Sequence, residues 1–184
     1  MSNDVIKQAA AFLREKIPGT GSSHAHAAIA HSLGYASKKA LLDDDQLDLE
    51  NPNLVLQVEL NPELVENRIA DMVGDTPLKR LSNAHLMRVI GAGLSPACEC
   101  CEEKQIGIKP LGYEDEDPEG WVCPPCASDE EHYGECTYCG PSYFYRADQL
   151  NSANECPEHA GESAYDPEEE EDMESYIEYM TKDL

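Results

Sequence analysis

Basic residues are scarce in this chain of 184 residues: 13 Lys and Arg stand against 37 Asp and Glu, for a formal charge of −24. A surface this acidic repels phosphate backbones and anionic membranes, which argues against direct nucleic-acid or membrane binding and for a protein partner with a neutral or basic surface. Long hydrophobic runs are missing too, and the N-terminus has no basic, apolar, cleavable leader, so a soluble cytoplasmic protein is expected. Cysteine is absent before residue 98, and seven of the eight cysteines beyond it fall in regularly spaced pairs. A secreted disulfide framework would not leave half the chain without a thiol, so metal ligation in a reducing compartment is the simpler account.

What is present is a succession of two-ligand turns: Cys98-x2-Cys101, Cys123-x2-Cys126, Cys136-x2-Cys139 and Cys156-x2-His159. Two donors three residues apart close on one coordination sphere, and two such turns complete a tetrahedral structural zinc site. The eight donors therefore predict two zinc ions. Sequential pairing of the turns gives an all-cysteine site and a site of three cysteines and one histidine, whereas crossed pairing joins the first turn to the third and the second to the fourth. Sequential pairing is favoured, because a ribbon needs only two knuckles and a hairpin. Cys100 is spare and could replace Cys101, and His132 could substitute for a ligand.

With every ligand position filled by protein, no coordination site remains for a substrate, which argues against an enzyme. From Pro110 to Tyr145 there is no Lys or Arg but nine acidic residues. Zinc modules that bind DNA use such cations on phosphate, so this one is expected to shape a structural or protein-binding surface. Trp121, Tyr138, Tyr143, Phe144 and Tyr145 are expected to pack around the metals. The spacing resembles tandem zinc-ribbon and LIM-like modules, which implies a protein adaptor. It departs from the LIM pattern in its nine-residue middle gap and in having Cys123 where a His is usual.

Ahead of the cysteines, Val5, Ile6, Ala9, Phe12, Leu13 and Ile17 recur at helical spacing up to Pro18-Gly19. A second helix should follow, capped by Ser22 or Ser23, carrying Ala27 to Leu33 and ending at Gly34, and Ser37 should cap a third turn with Leu41 and Leu42. His24, His26 and His31 read as capping or packing residues. The run Ser23-His24-Ala25-His26-Ala27, with Ile29-Ala30-His31, Leu33-Gly34-Tyr35 and Leu41, resembles the N-terminal helical module of bacterial glyoxalase-superfamily-related proteins. That resemblance implies a bacterial, phage or plasmid origin, and it carries no glyoxalase metal site.

The alternation of Leu54, Leu56, Val58 and Leu60 predicts a strand, with Gln105–Ile108 or Ser142–Tyr145 as partner. Asn61-Pro62-Glu63 predicts a helix start, and Thr76-Pro77 a second one running to Gly91 and Gly93, the two forming a hairpin. Asp166-Pro167 starts an acidic amphipathic helix with Met173, Tyr176, Ile177 and Met180 on one face.

The expected fold is α+β: a helical domain with one short strand over 1–95, a two-zinc module over 96–162 and a C-terminal helix over 163–184. The expected function is a non-enzymatic zinc-binding adaptor or regulator. An acidic DNA mimic that inhibits a nuclease or defence enzyme is one alternative, and a zinc enzyme or RING-like ligase module is another.

Overall fold

Ile6, Ala9, Ala10 and Leu13 form the buried stripe of the first helix, α1 (Ser2–Lys16), with Ile17 buried just beyond its end. The computed structural model describes residues 2–44, 59–112, 118–140 and 143–161. Gly19 turns the chain at φ +85°, and α2 (Ser22–Ser32) follows. Neither expected serine caps it: Gly21 holds the N-cap position and offers no side chain, while Ser22 lies inside the first turn with its hydroxyl 3.4 Å from His26 Nδ1. Ala25, Ala28, Ile29 and Ala30 are fully buried, because α2 is covered by helices on more than one side, and small residues let those neighbours come close. Gly34 ends it at φ +88°, as expected. Ser37 then caps α3 (Lys38–Leu42), its hydroxyl accepting from Ala40 N at 3.1 Å.

Asn61 caps α4 (Pro62–Ala70) through a 3.0 Å bond from Leu64 N, with Pro62 in the first turn. The expected second helix of this pair does not begin at Thr76-Pro77. Pro77–Arg80 form one 3-10 turn, the chain extends at Leu81, and a new helix, α5 (Asn83–Leu94), starts under Ser82, whose hydroxyl accepts from His85 N. The buried register Leu86, Ile90 and Leu94 belongs to this later helix, and a serine cap in phase with it outcompetes the earlier start.

Helix α5 also runs through Gly91 and Gly93 rather than stopping there. It packs chiefly on α1, and a methyl group added at Gly93 would stand 3.2 Å from the Phe12 ring and 3.3 Å from the Ala9 carbonyl oxygen. Glycine is there for close approach, at a cost of about 1 kcal/mol in helix propensity. The early helices and the later pair share one hydrophobic core, from Ile6 through Ile29 and Val65 to Leu94.

The strand expected over Leu54–Leu60 lies mainly outside the described residues, and its described end, Glu59 and Leu60, is in no strand. Of its suggested partners, Gln105–Ile108 passes through a turn, while Phe144 and Tyr145 pair within the cysteine region. There β1 (Lys109–Leu111), β2 (Gly120–Val122), β3 (Tyr133–Glu135) and β4 (Phe144–Arg146) make a four-stranded sheet of order β2-β1-β4-β3. Two antiparallel hairpins, β1–β2 and β3–β4, are joined by a parallel contact at Leu111 and Phe144. A short helix, α6 (Pro124–Ala127), follows β2. The architecture is mixed α+β, and no described helix is long and apolar enough to cross a membrane. The helix expected at 166–180 lies outside the described residues.

Candidate metal centres

The first knuckle hangs almost directly from α5. Ser95 N and Oγ both donate to the Gly91 carbonyl at 3.0 and 2.8 Å, and Lys104 Nζ donates to the Gly93 carbonyl at 3.2 Å. These bonds satisfy helix-end carbonyls that have no intrahelical partner. Burial holds the Lys104 ammonium below the usual lysine range. Cys98 N donates to the Glu103 carbonyl and Glu102 N to the Cys98 carbonyl, which closes the turn and brings Cys98 and Cys101 together. That closure places Glu102 at φ +60°, a left-handed conformation costing a non-glycine residue about 1–2 kcal/mol. The residue just after Cys139 adopts the same conformation at φ +78°, and there it is Gly140.

From the far end of the β1–β2 hairpin, Cys123 and Cys126 come back to the first knuckle. Cys101 Sγ stands 3.7 Å from Cys123 Sγ, and Cys123 N donates to Cys98 Sγ at 3.4 Å. Cys98 and Cys123 are buried, while Cys101 is on the surface. The second group is built differently from a simple knuckle–hairpin–knuckle ribbon. Its first knuckle, Cys136–Cys139, sits in the connection between β3 and β4, and its second, Cys156–His159, comes after β4. His159 Nδ1 lies 3.8, 3.3 and 3.2 Å from the sulfurs of Cys136, Cys139 and Cys156, and Cys139 Sγ lies 3.8 Å from Cys156 Sγ. Cys156 N donates to Cys136 Sγ at 3.4 Å, repeating the amide–sulfur bond of the first group.

Neighbouring pairs are therefore brought together: Cys98, Cys101, Cys123 and Cys126 in one group, and Cys136, Cys139, Cys156 and His159 in the other. The crossed combination does not occur. With metal–sulfur bonds of about 2.3 Å and metal–nitrogen bonds of about 2.0 Å, tetrahedral geometry spaces two sulfurs by about 3.8 Å and a sulfur and a nitrogen by about 3.5 Å. The distances found match those edges and are far from the ~2.05 Å of a disulfide. All the cysteines are free thiols, and each group can hold one metal ion.

The electrostatics of the two groups run in parallel. Burial opposes ionisation of Cys98, but amide N–H groups of Cys101, Cys123 and Cys100 overcome it and hold the thiol at about 6. Cys136 is likewise held at about 6, against burial, by the amides of Cys156, Cys139 and Tyr138. The crowded partners go the other way. A hydrogen bond with Cys123 pushes Cys126 up, and burial with the neighbouring thiols pushes Cys139 up to about 12. Three or four sulfurs in one small volume ionise together only around a cation, so each group is poised to exchange protons for metal.

Around the sulfurs, Phe144 and Tyr145 are buried and Trp121, Tyr138 and Tyr143 half-buried against the two clusters. Tyr138 stacks on His159 with ring centroids 5.6 Å apart, and the Tyr145 hydroxyl lies 3.0 Å from Cys139 Sγ. Cys100 is exposed and outside the first group of donors. His132 is outside the second, its Nδ1 lying 3.0 Å from Asp129 Oδ2 in an exposed acidic turn.

Sequence reasoning missed the polar tie across the sheet. Arg146 donates to both Glu99 and Glu119, Gln149 Nε2 donates to Glu119 at 2.9 Å, and the Tyr133 hydroxyl donates to Glu99 at 3.0 Å. One signal was available: Arg146 is the sole Lys or Arg between Lys109 and Lys182. Compared with protein-family models, with curated proteins and with solved structures, the chain matches none.

Proposed function

We propose that this chain is a zinc-binding adaptor or regulatory protein, non-enzymatic, whose metals hold an acidic surface in shape for a protein partner with a basic face. One observation carries the reading: each group offers four protein donors at tetrahedral spacing, so a zinc bound there is coordinatively saturated. Zinc is the metal of choice, since four thiolates, or three with one imidazole, in tetrahedral array suit it. Cytoplasmic residence follows from thiols that must stay reduced. The resemblance of the Ser23–Leu41 run to a bacterial helical module supports a bacterial, phage or plasmid origin.

Native mass spectrometry with and without chelator, combined with zinc-edge X-ray absorption, tests the reading. Two zinc ions per chain with only sulfur and nitrogen neighbours support it. An oxygen neighbour from bound water would favour a zinc enzyme, and disulfides with no metal would overturn the proposal. The formal charge of −24 favours a second reading, an acidic DNA mimic that occupies the cleft of a nuclease or defence enzyme. Binding to a basic nuclease that collapses between low and moderate salt would select it, whereas partner binding that survives high salt selects the adaptor.

A further inference from the structure

Among the described residues six cations sit beside an acid: Lys7 by Asp4, Lys16 by Glu15, Lys39 by Asp43, Arg80 by Asp75, Lys109 by Glu135 and Arg146 by Glu99. Lys38 and Arg68 do not. They line a cleft of about 430 Å³ in the helical part, shared with Ser22, Ser23, His26 and His31, and none of its described lining residues is acidic. Two of its polar atoms, Arg68 Nε and His26 Nε2, are buried without a hydrogen-bond partner. A buried guanidinium nitrogen left unsatisfied costs more than an ordinary lost bond, and a water, an ion or a ligand group would relieve it.

The two imidazoles are oriented by the backbone. His26 Nδ1 lies 2.7 Å from the Ser22 carbonyl oxygen and His31 Nδ1 lies 2.9 Å from the Ala27 carbonyl oxygen. A carbonyl only accepts, so each Nδ1 carries the proton and donates, which leaves each Nε2 to face a ligand. A neutral ring accepts there from a phosphate hydroxyl, and an imidazolium donates there to a phosphate oxygen. Ser22 and Ser23 open α2 in its first turn, where Gly21 supplies no capping side chain, so amide N–H groups without helical partners and the positive end of the helix lie at the same cleft.

We propose that this cleft binds the phosphoryl group of a small phosphate monoester. The planar fork of Arg68, the Lys38 ammonium, two serine hydroxyls and the two rings, donating from Nε2 as imidazolium, surround a tetrahedral dianion with donors of matching sign and geometry. The volume suits a phosphoryl group with a small organic carrier. A nucleic-acid strand is disfavoured by the net charge of the chain. The site is independent of the metal centres.

The test uses full-length, zinc-loaded protein titrated with inorganic phosphate and with phenyl phosphate, followed by NMR of the backbone amides and histidine rings. Saturable shifts are expected at Ser22, Ser23, His26 and His31. Arg68→Gln and Lys38→Gln should each weaken the affinity for phenyl phosphate by about tenfold or more, one charge-assisted hydrogen bond's worth, while resonances of the cysteine turns stay in place. Lys38 lies at the start of the short α3 and is not a core residue, so its variant keeps the test open if the Arg68 variant misfolds. Shifts that do not saturate, that map away from the cleft, or that are unchanged in both variants overturn the proposal.

Discussion

Arg146 closes on both carboxylate oxygens of Glu99, with Nε 3.0 Å from Oε1 and Nη2 2.7 Å from Oε2, across 47 positions of chain. Glu99 lies inside the first cysteine knuckle and Arg146 ends β4, so this pair fastens the first metal group to the strand that leads into the last knuckle. The Arg146 guanidinium, against the effect of burial, holds the Glu99 carboxyl below its ordinary range, with help from the Tyr133 hydroxyl. Replacing Arg146 by Lys keeps the charge but loses the two-pronged fit. Arg146→Lys should cost about 1 kcal/mol, and a double-mutant cycle of Arg146→Ala with Glu99→Ala should give a coupling of similar size by denaturant unfolding of the metal-loaded protein. Additive single effects would show that the pair is decorative.

Chelation should separate the two halves spectroscopically. The chain has one tryptophan, Trp121, and it sits in β2 against the first cysteine group, whereas the helical core contains no metal donor. Structural zinc contributes on the order of 10 kcal/mol to a small module, so its removal should release the sheet. With EDTA or a stronger chelator, Trp121 emission should shift to the red while the helical circular-dichroism signal keeps most of its amplitude. Loss of both signals together would mean that the helices depend on the metal centres.

The spare thiol and the ligand thiol differ by one position, which allows a sharp comparison. Cys100→Ser should leave the metal count of the protein unchanged in native mass spectrometry. Cys101→Ser removes a donor 3.7 Å from Cys123 Sγ and should lower the zinc affinity of the first group by at least about tenfold, with the second group unaffected. The opposite pattern would exchange the roles of the two residues.

Alkaline pH should reach one place in the helical part first. The Tyr35 hydroxyl donates to Asp44 Oδ2 at 2.6 Å, and this bond, with burial and the Asp44 charge behind it, pushes Tyr35 up to about 12 from an ordinary 10. The neutral phenol is the form favoured by the fold. Its stabilising effect is complete below pH 10 and is lost as pH rises from there through about 12. Tyr35→Phe should therefore be less stable than the parent near neutrality and should lose its difference from the parent across that window. A constant difference at all pH values would place the effect in packing instead.

Much of this protein was settled by its sequence at short range. Two donors three residues apart can meet within one turn, so the four pairs could be read directly, and Ser37, Asn61 and Gly34 act as cap, cap and terminator because those roles need only neighbouring backbone. Where two local signals competed, as Thr76-Pro77 did with Ser82, burial of Leu86, Ile90 and Leu94 decided, and burial is a property of partners far along the chain. The same holds for Gly93, whose missing side chain has meaning only beside Phe12 and Ala9. Only the tertiary structure placed both knuckle systems on one sheet through Leu111 and Phe144, joined Glu99 to Arg146 and brought Arg68 to His26. Each of those contacts closes a long loop, and loop closure leaves no local pattern: the residues at either end look like ordinary charged or apolar positions until the fold makes them neighbours.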